Sequence, residues 1–311
     1  MSELVSILIP CFNAERFIKQ AIESALYQTY SNTEVIVIDD GSTDNSLEII
    51  KSFGDKINWQ TRANKGGNYT RNELLSKAAG EWIQYLDADD YLLSDKLEHD
   101  IGFINNSGNR QIDCLYGPSL IEETIDKKNS RYVLPVKYPE DPLVSLFCWD
   151  MPQTNTMLFR KSSLIAAGGW NNDQKVCQEH ELYFRLLKSG ASFQAHVKEG
   201  SVYRIYSSET VCRRDPVFTY QNRIKIMNDL ADYAIEKKLL TPDRKSIMGN
   251  QFWQIARDVW QFDKNWAESI SKSVKSKFGQ PQYNDILSGK FVFLSRLVGF
   301  NCAERIAEFI R

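Results

Sequence analysis

Four short apolar runs, each followed by polar sequence or apolar residues at helical spacing, fall within the first ninety residues, and this alternation constrains the fold more than any other feature. Val5–Ile9 is a β-branched-rich run closed by Pro10, the pattern of a buried parallel strand. Ala14, Phe17, Ile18, Ala21, Ile22, Ala25 and Leu26 then recur at helical spacing. Val35–Ile38 reads as the next strand, with Ser42 or Thr43 expected to cap a helix carrying Leu47, Ile50 and Phe53. A weaker strand around Ile57–Thr61 leads into Asn64–Asn68, a loop by composition. A helix through Leu74, Leu75, Ala78 and Ala79 follows, with Gly80 expected as its C-cap. Trp82–Leu86 is the fourth strand. Such a β-α-β-α-β-α-β order predicts an α/β fold, a mostly parallel sheet flanked by helices.

After about Ile112 the rhythm loosens. Ile112–Tyr116 reads as a strand, Glu122–Lys137 as a polar hairpin or loop, and Gln178–Lys188 as a helix. Beyond Pro216 the chain reads helical to its end, with a break near Phe278–Tyr283. The expected division is 1–117 for an α/β half, 118–215 for a mixed second part, and 216–311 for a helical C-terminal region.

Composition removes several function classes. A formal net charge of -2 over 311 residues, without a long basic stripe, gives nucleic acid nothing to bind. The six cysteines (Cys11, Cys114, Cys148, Cys177, Cys212, Cys302) form no C-x-x-C pair and read as reduced thiols. The three histidines, His99, His180 and His196, are too few and too dispersed in sequence for a zinc cage. No cationic leader with an apolar core opens the chain, and no apolar run approaches membrane-spanning length, so a cytoplasmic location is expected.

The chemistry-bearing residues sit at strand ends. Leu86-Asp87-Ala88-Asp89-Asp90 closes an apolar strand with three carboxylates, a costly cluster unless a positive group sits there. A divalent cation carrying a diphosphate suits such a place. Asp39-Asp40-Gly41-Ser42 is a second acidic strand end, and both fall where an α/β sheet opens its ligand crevice. The first crossing, Pro10-Cys11-Phe12-Asn13, holds no glycine, which argues against dinucleotide-binding and P-loop proteins. Phe12 suits either a stacked base or the core. Asp40 suits the N–H of a pyrimidine base, with Asp39 as an orienting or capping group.

In order, Val5–Asn13, Ile38–Asp44, Asn64-Lys65-Gly66 with Arg71-Asn72, and Leu86–Asp90 resemble the successive signatures of family 2 glycosyltransferases. The resemblance is continuous over about the first hundred residues and recurs in patches to about Arg204. It implies a GT-A fold (Rossmann-like) with a C-terminal helical extension, and inverting hexosyl transfer from a nucleotide-diphosphate sugar. Residues 1–117 become the nucleotide-sugar-binding half and 118–215 the acceptor-binding half. The resemblance places Pro10, Phe12, Asn13, Asp40, Asn64, Arg71, Asp87 and Ala88 around a UDP-sugar. It makes Asp89 a ligand of Mn2+ or Mg2+, whose preference is for hard oxygen donors.

Inversion also needs a general base opposite the leaving group. The family usually carries a Glu-Asp pair downstream of a Gly-Gly-aromatic turn. This chain has Gly168-Gly169-Trp170 and then Gln178-Glu179-His180-Glu181, which puts Glu179 at the base position and Gln178 where an acid is common. His180 and Glu181 are the neighbouring alternatives. Tyr206 stands where relatives often carry His as a metal or phosphate contact; tyrosine is a poorer ligand for these ions, and its hydroxyl suits a phosphate contact instead. Trp149 and Trp170 offer flat faces of the kind that pack on sugar rings.

Lys290–Arg311 mixes Phe291, Phe293, Leu294, Leu297, Val298 and Phe300 with Lys290, Arg296, Arg305 and Arg311. That pattern suits packing on its own domain or a second subunit as a homo-oligomer. It equally suits peripheral contact with an anionic inner membrane face, where lipid-linked acceptors would lie. The expected activity is metal-assisted transfer to a carbohydrate or lipid-linked acceptor in surface polysaccharide or glycoconjugate synthesis. The alternatives are a catalytically silent sugar-nucleotide- or partner-binding homologue and a sugar-nucleotide pyrophosphorylase. The latter would want a Gly-rich basic loop that Pro10–Asn13 lacks.

Overall fold

Six of the seven residues of strand β1 (Val5–Cys11) are buried, which puts it at the centre of a sheet covered on both faces. It pairs in parallel with β2 (Thr33–Asp39) on one side and β4 (Trp82–Tyr85) on the other. The computed structural model describes residues 3–106, 108, 111–125, 128–207 and 214–310. With β3 (Asn58–Thr61), β6 (Cys114–Tyr116), β9 (Leu158–Arg160) and β10 (Phe193–Ala195), the strand order is β10-β6-β9-β4-β1-β2-β3. Only β9 runs antiparallel to its neighbours. Helices α1 (Ile18–Leu26), α2 (Ser46–Lys51), α3 (Gly67–Lys77) and α4 (Lys96–Asn106) connect the strands. The order reverses between β1 and β4, which is where an open α/β sheet forms its crevice.

A second sheet has the order β5-β11-β7-β8. Its strands are β5 (Tyr91–Leu92), β7 (Ser119–Ile125), β8 (Lys128–Leu134) and β11 (Ser201–Ile205), so the polar Glu122–Lys137 stretch is a hairpin. Beyond it come α5 (Pro142–Phe147), α6 (Lys161–Ala166) and α7 (Gln178–Lys188).

The chain divides into two compact units, Met1–Ser145 with Asp150–Asn222, and Leu146–Trp149 with Arg223–Arg311. The second takes most of α8 (Pro216–Glu236), then α9 (Pro242–Trp260), α10 (Lys264–Phe278), α11 (Gly289–Val298) and α12 (Phe300–Ile310). Thr241, Asp263 and Ser288 cap α9, α10 and α11 by accepting from backbone N–H groups. Phe300 packs on Trp253, Trp260 and Phe291, and Arg257 meets Glu304 at 2.6 Å, so the terminal helices dock on their own unit. Phe293 and Leu297 stay 66% and 69% exposed on the other face of α11. No helix among the described residues is long and apolar enough to cross a membrane.

Three local expectations are corrected. Neither Ser42 nor Thr43 caps α2, which begins at Ser46; Ser42 Oγ instead accepts from Asn13 N–H at 2.9 Å, and Asn13 Oδ1 accepts from Thr43 N–H at 2.8 Å. Gly80 is not a helix cap either, because α3 ends at Lys77. It passes so close to β1 that a Cβ there would lie 2.7 Å from Leu4 O and Ser6 N. Third, His99 and His196 are not dispersed in space. They meet Asp100 Oδ1 at 3.3 and 3.2 Å, while Lys96 Nζ lies 2.6 Å from Oδ2. Burial pushes the Asp100 carboxyl up, but Lys96 and the two histidines override it and hold it well below the usual range. With an ammonium already on the carboxylate, this cluster is an ion-paired knot that ties His196 to α4.

Gly41 turns β2 toward the site at φ +78, and a Cβ there would meet Asn64 N at 2.9 Å and Arg62 O at 3.0 Å. Both are backbone atoms. Gly41→Ala is therefore expected to destabilise the protein by about 2–4 kcal/mol through left-handed backbone strain and overpacking. A thermal melt reads this directly; an unchanged midpoint contradicts it.

Candidate active site

Burial on both faces carries β4 through the core, and Leu86 N–H still bonds Leu8 O at 3.0 Å. The strand then breaks into an acidic turn closed by Asp90 N–H on Asp87 O, at 3.0 Å. Asp87 and Asp89 are half-buried at the crevice, whereas Ala88 and Asp90 are buried. Asp90 is not a helix cap, since α4 starts at Lys96. Its oxygens accept from Arg204 N–H at 2.9 Å and Asn155 Nδ2 at 3.0 Å, tying β11 and the 154–156 turn to the acidic turn. Burial, and then the charges of Asp89 and Asp87, push its carboxyl well above the usual range.

Asp89 is gripped twice. Arg204 Nη1 donates to its carbonyl at 2.9 Å, and the Tyr206 hydroxyl donates to its Oδ2 at 2.9 Å. Burial and the Asp87 charge still raise its carboxyl. Tyr206 rests on Phe17, ring centroids 4.6 Å apart, and burial with the neighbouring Asp89 pushes its phenol up to about 12. It therefore stays protonated at neutral pH and can donate. Asp87 and Asp89 offer only oxygen donors, and the Asp87 charge adds to the cost of ionising Asp89. That chemistry fits a hard divalent cation.

Asp87 Oδ1 receives Arg71 Nη2 at 2.7 Å. Arg71 in turn lies 4.8 Å over the Trp170 ring, and Trp170 meets Tyr85 edge-on at 5.4 Å. Asn72 holds the same segment, donating to Trp170 O and accepting from Trp170 N–H, both at 2.7 Å. Trp170 is 3% exposed, so its faces are taken by Arg71 and Tyr85 rather than offered to an acceptor. Glu179, in the first turn of α7, joins this group. Burial raises its carboxyl, the Arg71 charge opposes that, and the Asp87 charge adds to it. His180 turns away, 6% exposed and ring-to-ring with Tyr183 at 6.0 Å. Glu181 is spent on Arg185 at 2.7 Å.

On the other wall, β1 runs through Pro10 to Cys11 rather than closing at Pro10, and Phe12 just beyond it is 50% exposed, so it is no core residue. Asp40 is 3% exposed; it accepts from Lys65 N–H at 3.0 Å and Gly66 N–H at 2.8 Å and pairs with Arg62 at 2.7 Å. It thereby fixes the loop that carries Asn64, which is exposed. Asp39 orients the turn, accepting from Thr61 Oγ1 at 2.7 Å and Ser42 N–H at 3.3 Å. Asn13 is committed to the same turn. Trp149 belongs to the second unit, with the Arg223 guanidinium 4.8 Å over its ring.

Sequence reasoning gave no role to Arg62, Arg204, Asn72 and Asn155, which hold the acids and their surroundings. Asn72 stands in the Arg71-Asn72 signature, but its hold on Trp170 is not written there. Only the need for a positive or donor partner beside each buried carboxylate signals them.

The family profile described as "Glycosyl transferase family 2" matches residues 6–166. An uncharacterized glycosyltransferase of Rickettsia typhi is 31% identical over 277 residues, spanning 85% of this chain and 80% of the relative. Among solved structures, S. aureus TarS (residues 1–349, with UDP-GlcNAc) superposes over 99% of this chain and 92% of its own, with a TM-score of 0.64 at 16% identity. The mannosyltransferase PcManGT of Pyrobaculum calidifontis, with GDP-Man and Mn2+, covers 98% and 86%, with a TM-score of 0.56 at 14% identity. These structures share the fold, a GT-A-like α/β sheet followed by helices. With a profile matched over more than half its length and a relative this similar, the chain belongs to glycosyl transferase family 2.

Proposed function

We propose that this enzyme transfers a sugar from a UDP-sugar to an acceptor hydroxyl with inversion, with Mn2+ or Mg2+ as its cofactor. The observation that supports it best is that Arg71 and Glu179, from separate helices, gather beside the Asp87–Asp89 turn. Phe12 leaves half its ring surface open for a base. Asp40 has about three of the roughly four acceptor positions of a carboxylate filled, which leaves one for a base N–H. Asn64 lies open on the loop that Asp40 fixes. Arg71 orients Asp87 toward ribose or donor sugar.

Asp89, supported by Asp87, would hold the cation, which when bound offsets charge on the departing diphosphate. Glu179 would take the acceptor proton. Its raised proton affinity makes it a stronger base than an exposed glutamate, and its backbone hydrogen bond and then the Arg71 charge oppose that rise. A carbohydrate or lipid-linked acceptor fits synthesis of a surface polysaccharide or glycoconjugate at the cytoplasmic side.

UDP release measured across a panel of nucleotide sugars, with Mn2+ or EDTA, tests the reading; turnover indifferent to EDTA removes the metal from it. Asp89→Ala is expected to abolish metal-dependent turnover. Glu179→Gln should leave UDP affinity within about twofold and lower kcat by a factor on the order of 100 to 10000. Transfer at the parental rate by that variant overturns the base assignment.

The pH dependence follows from sign. The base works only when deprotonated, and burial raises Glu179 above the ordinary glutamate value, so the acid limb of kcat lies above that value too. Arg71→Met removes the opposing charge and should shift the limb to higher pH in a kcat–pH profile at saturating donor. A limb that stays put or moves down contradicts the coupling.

A further inference from the structure

Asp89 carries a hydroxyl donor on one of its two side-chain oxygens. The Tyr206 hydroxyl lies 2.9 Å from Asp89 Oδ2, and its ring is seated on Phe17 at 4.6 Å. The Arg16 guanidinium covers both rings, 5.0 Å from the Phe17 centroid and 5.9 Å from that of Tyr206. Tyr206 is nonetheless 38% exposed, so the phenol can leave Asp89 without disturbing a packed core. The main chain of Asp89 is held independently, by Arg204 on its carbonyl. The acidic turn therefore keeps its shape whether or not the phenol is in place.

A hydrogen bond donated to a carboxylate oxygen occupies a lone pair that a cation would use. We propose that Tyr206 is a positioning residue that acts as a latch on Asp89, competing with the divalent cation for Oδ2 and giving the carboxylate its counterpart when no nucleotide-bound cation is present. This rests on the reading of Asp89 as the cation's ligand. The two groups exclude each other on that oxygen, so cation binding swings the phenol off toward solvent. The consequence is weak binding of free metal and preferential capture of metal that arrives with a diphosphate, which supplies the ligands the phenol denies. A tyrosine that instead joined the metal as a ligand would have the opposite effect on affinity, so the sign of one measurement separates the two.

Mn2+ binding to the full chain without nucleotide, followed by the loss of the free-ion electron paramagnetic resonance signal, reads the effect without turnover. Tyr206→Phe keeps the ring on Phe17 and removes only the hydroxyl. It is expected to tighten Mn2+ by roughly three- to tenfold, the weight of one ordinary hydrogen bond at a site open to water. With saturating UDP the gap between Tyr206→Phe and the parent should narrow. Unchanged or weaker binding of free Mn2+ by Tyr206→Phe, at an unchanged melting temperature, overturns the latch. Asp89→Asn separates the two readings. If it binds Mn2+ as the parent does, the cation does not sit on Asp89, and both fall. If it loses Mn2+ while Tyr206→Phe shows no gain, Asp89 remains the ligand and only the latch is lost.

Discussion

Three carboxylates within four residues, Asp87, Asp89 and Asp90, meet at the end of a strand buried on both faces, and the site is built around keeping them there. Two like charges about 5 Å apart repel by roughly 3 kcal/mol at an effective dielectric near 20. Each acid is answered differently. Asp90 sits deepest and takes neutral donors, a backbone N–H and the Asn155 amide, and burial pushes it toward protonation. Asp87 takes the guanidinium of Arg71. Asp89 takes the neutral Tyr206 phenol on its Oδ2, with no guanidinium or ammonium paired to its carboxylate among the described residues, and so keeps capacity for a cation.

These answers come from elements far apart in the chain, and the parallel sheet is what brings them together. Side-by-side β1 and β4 direct Phe12 and Asp87 toward one crevice. β11, in the other sheet, supplies Arg204 and leads to Tyr206. The first turn of α7 supplies Glu179. Breaking the Asp90 bonds to Arg204 and Asn155 would loosen β11 from the acidic turn, so a residue that touches no substrate sets the distance between Asp89 and Tyr206.

This architecture explains what was legible in sequence. Strand ends were legible, because apolar runs mark strands and α/β sheets bind ligands where parallel strands finish. Asp40, Asp87 and Asp89 followed from that, and Arg71 and Glu179 followed from family spacing. Roles set by contacts between distant segments were not legible. Gly80 looks like a helix cap until its closeness to Ser6 is seen, and Ser42 looks like one until Asn13 claims its hydroxyl. Trp170 reads as a sugar platform because sequence gives no account of Arg71 and Tyr85 on its faces. His99 and His196 stand 97 positions apart, with nothing local to announce that both meet Asp100.

Arg71 links the two halves of the proposed reaction. Its guanidinium pairs with Asp87 and opposes the burial that raises Glu179. The charge that orients the donor-side carboxylate therefore also holds down the proton affinity of the base. Trp170, packed beneath that guanidinium and fastened by Asn72, restricts where it can go. An arginine free to move would let Asp87 and Glu179 drift independently. Pinned between an aromatic face and a carboxylate, it keeps donor alignment and base strength tied to a single position in space.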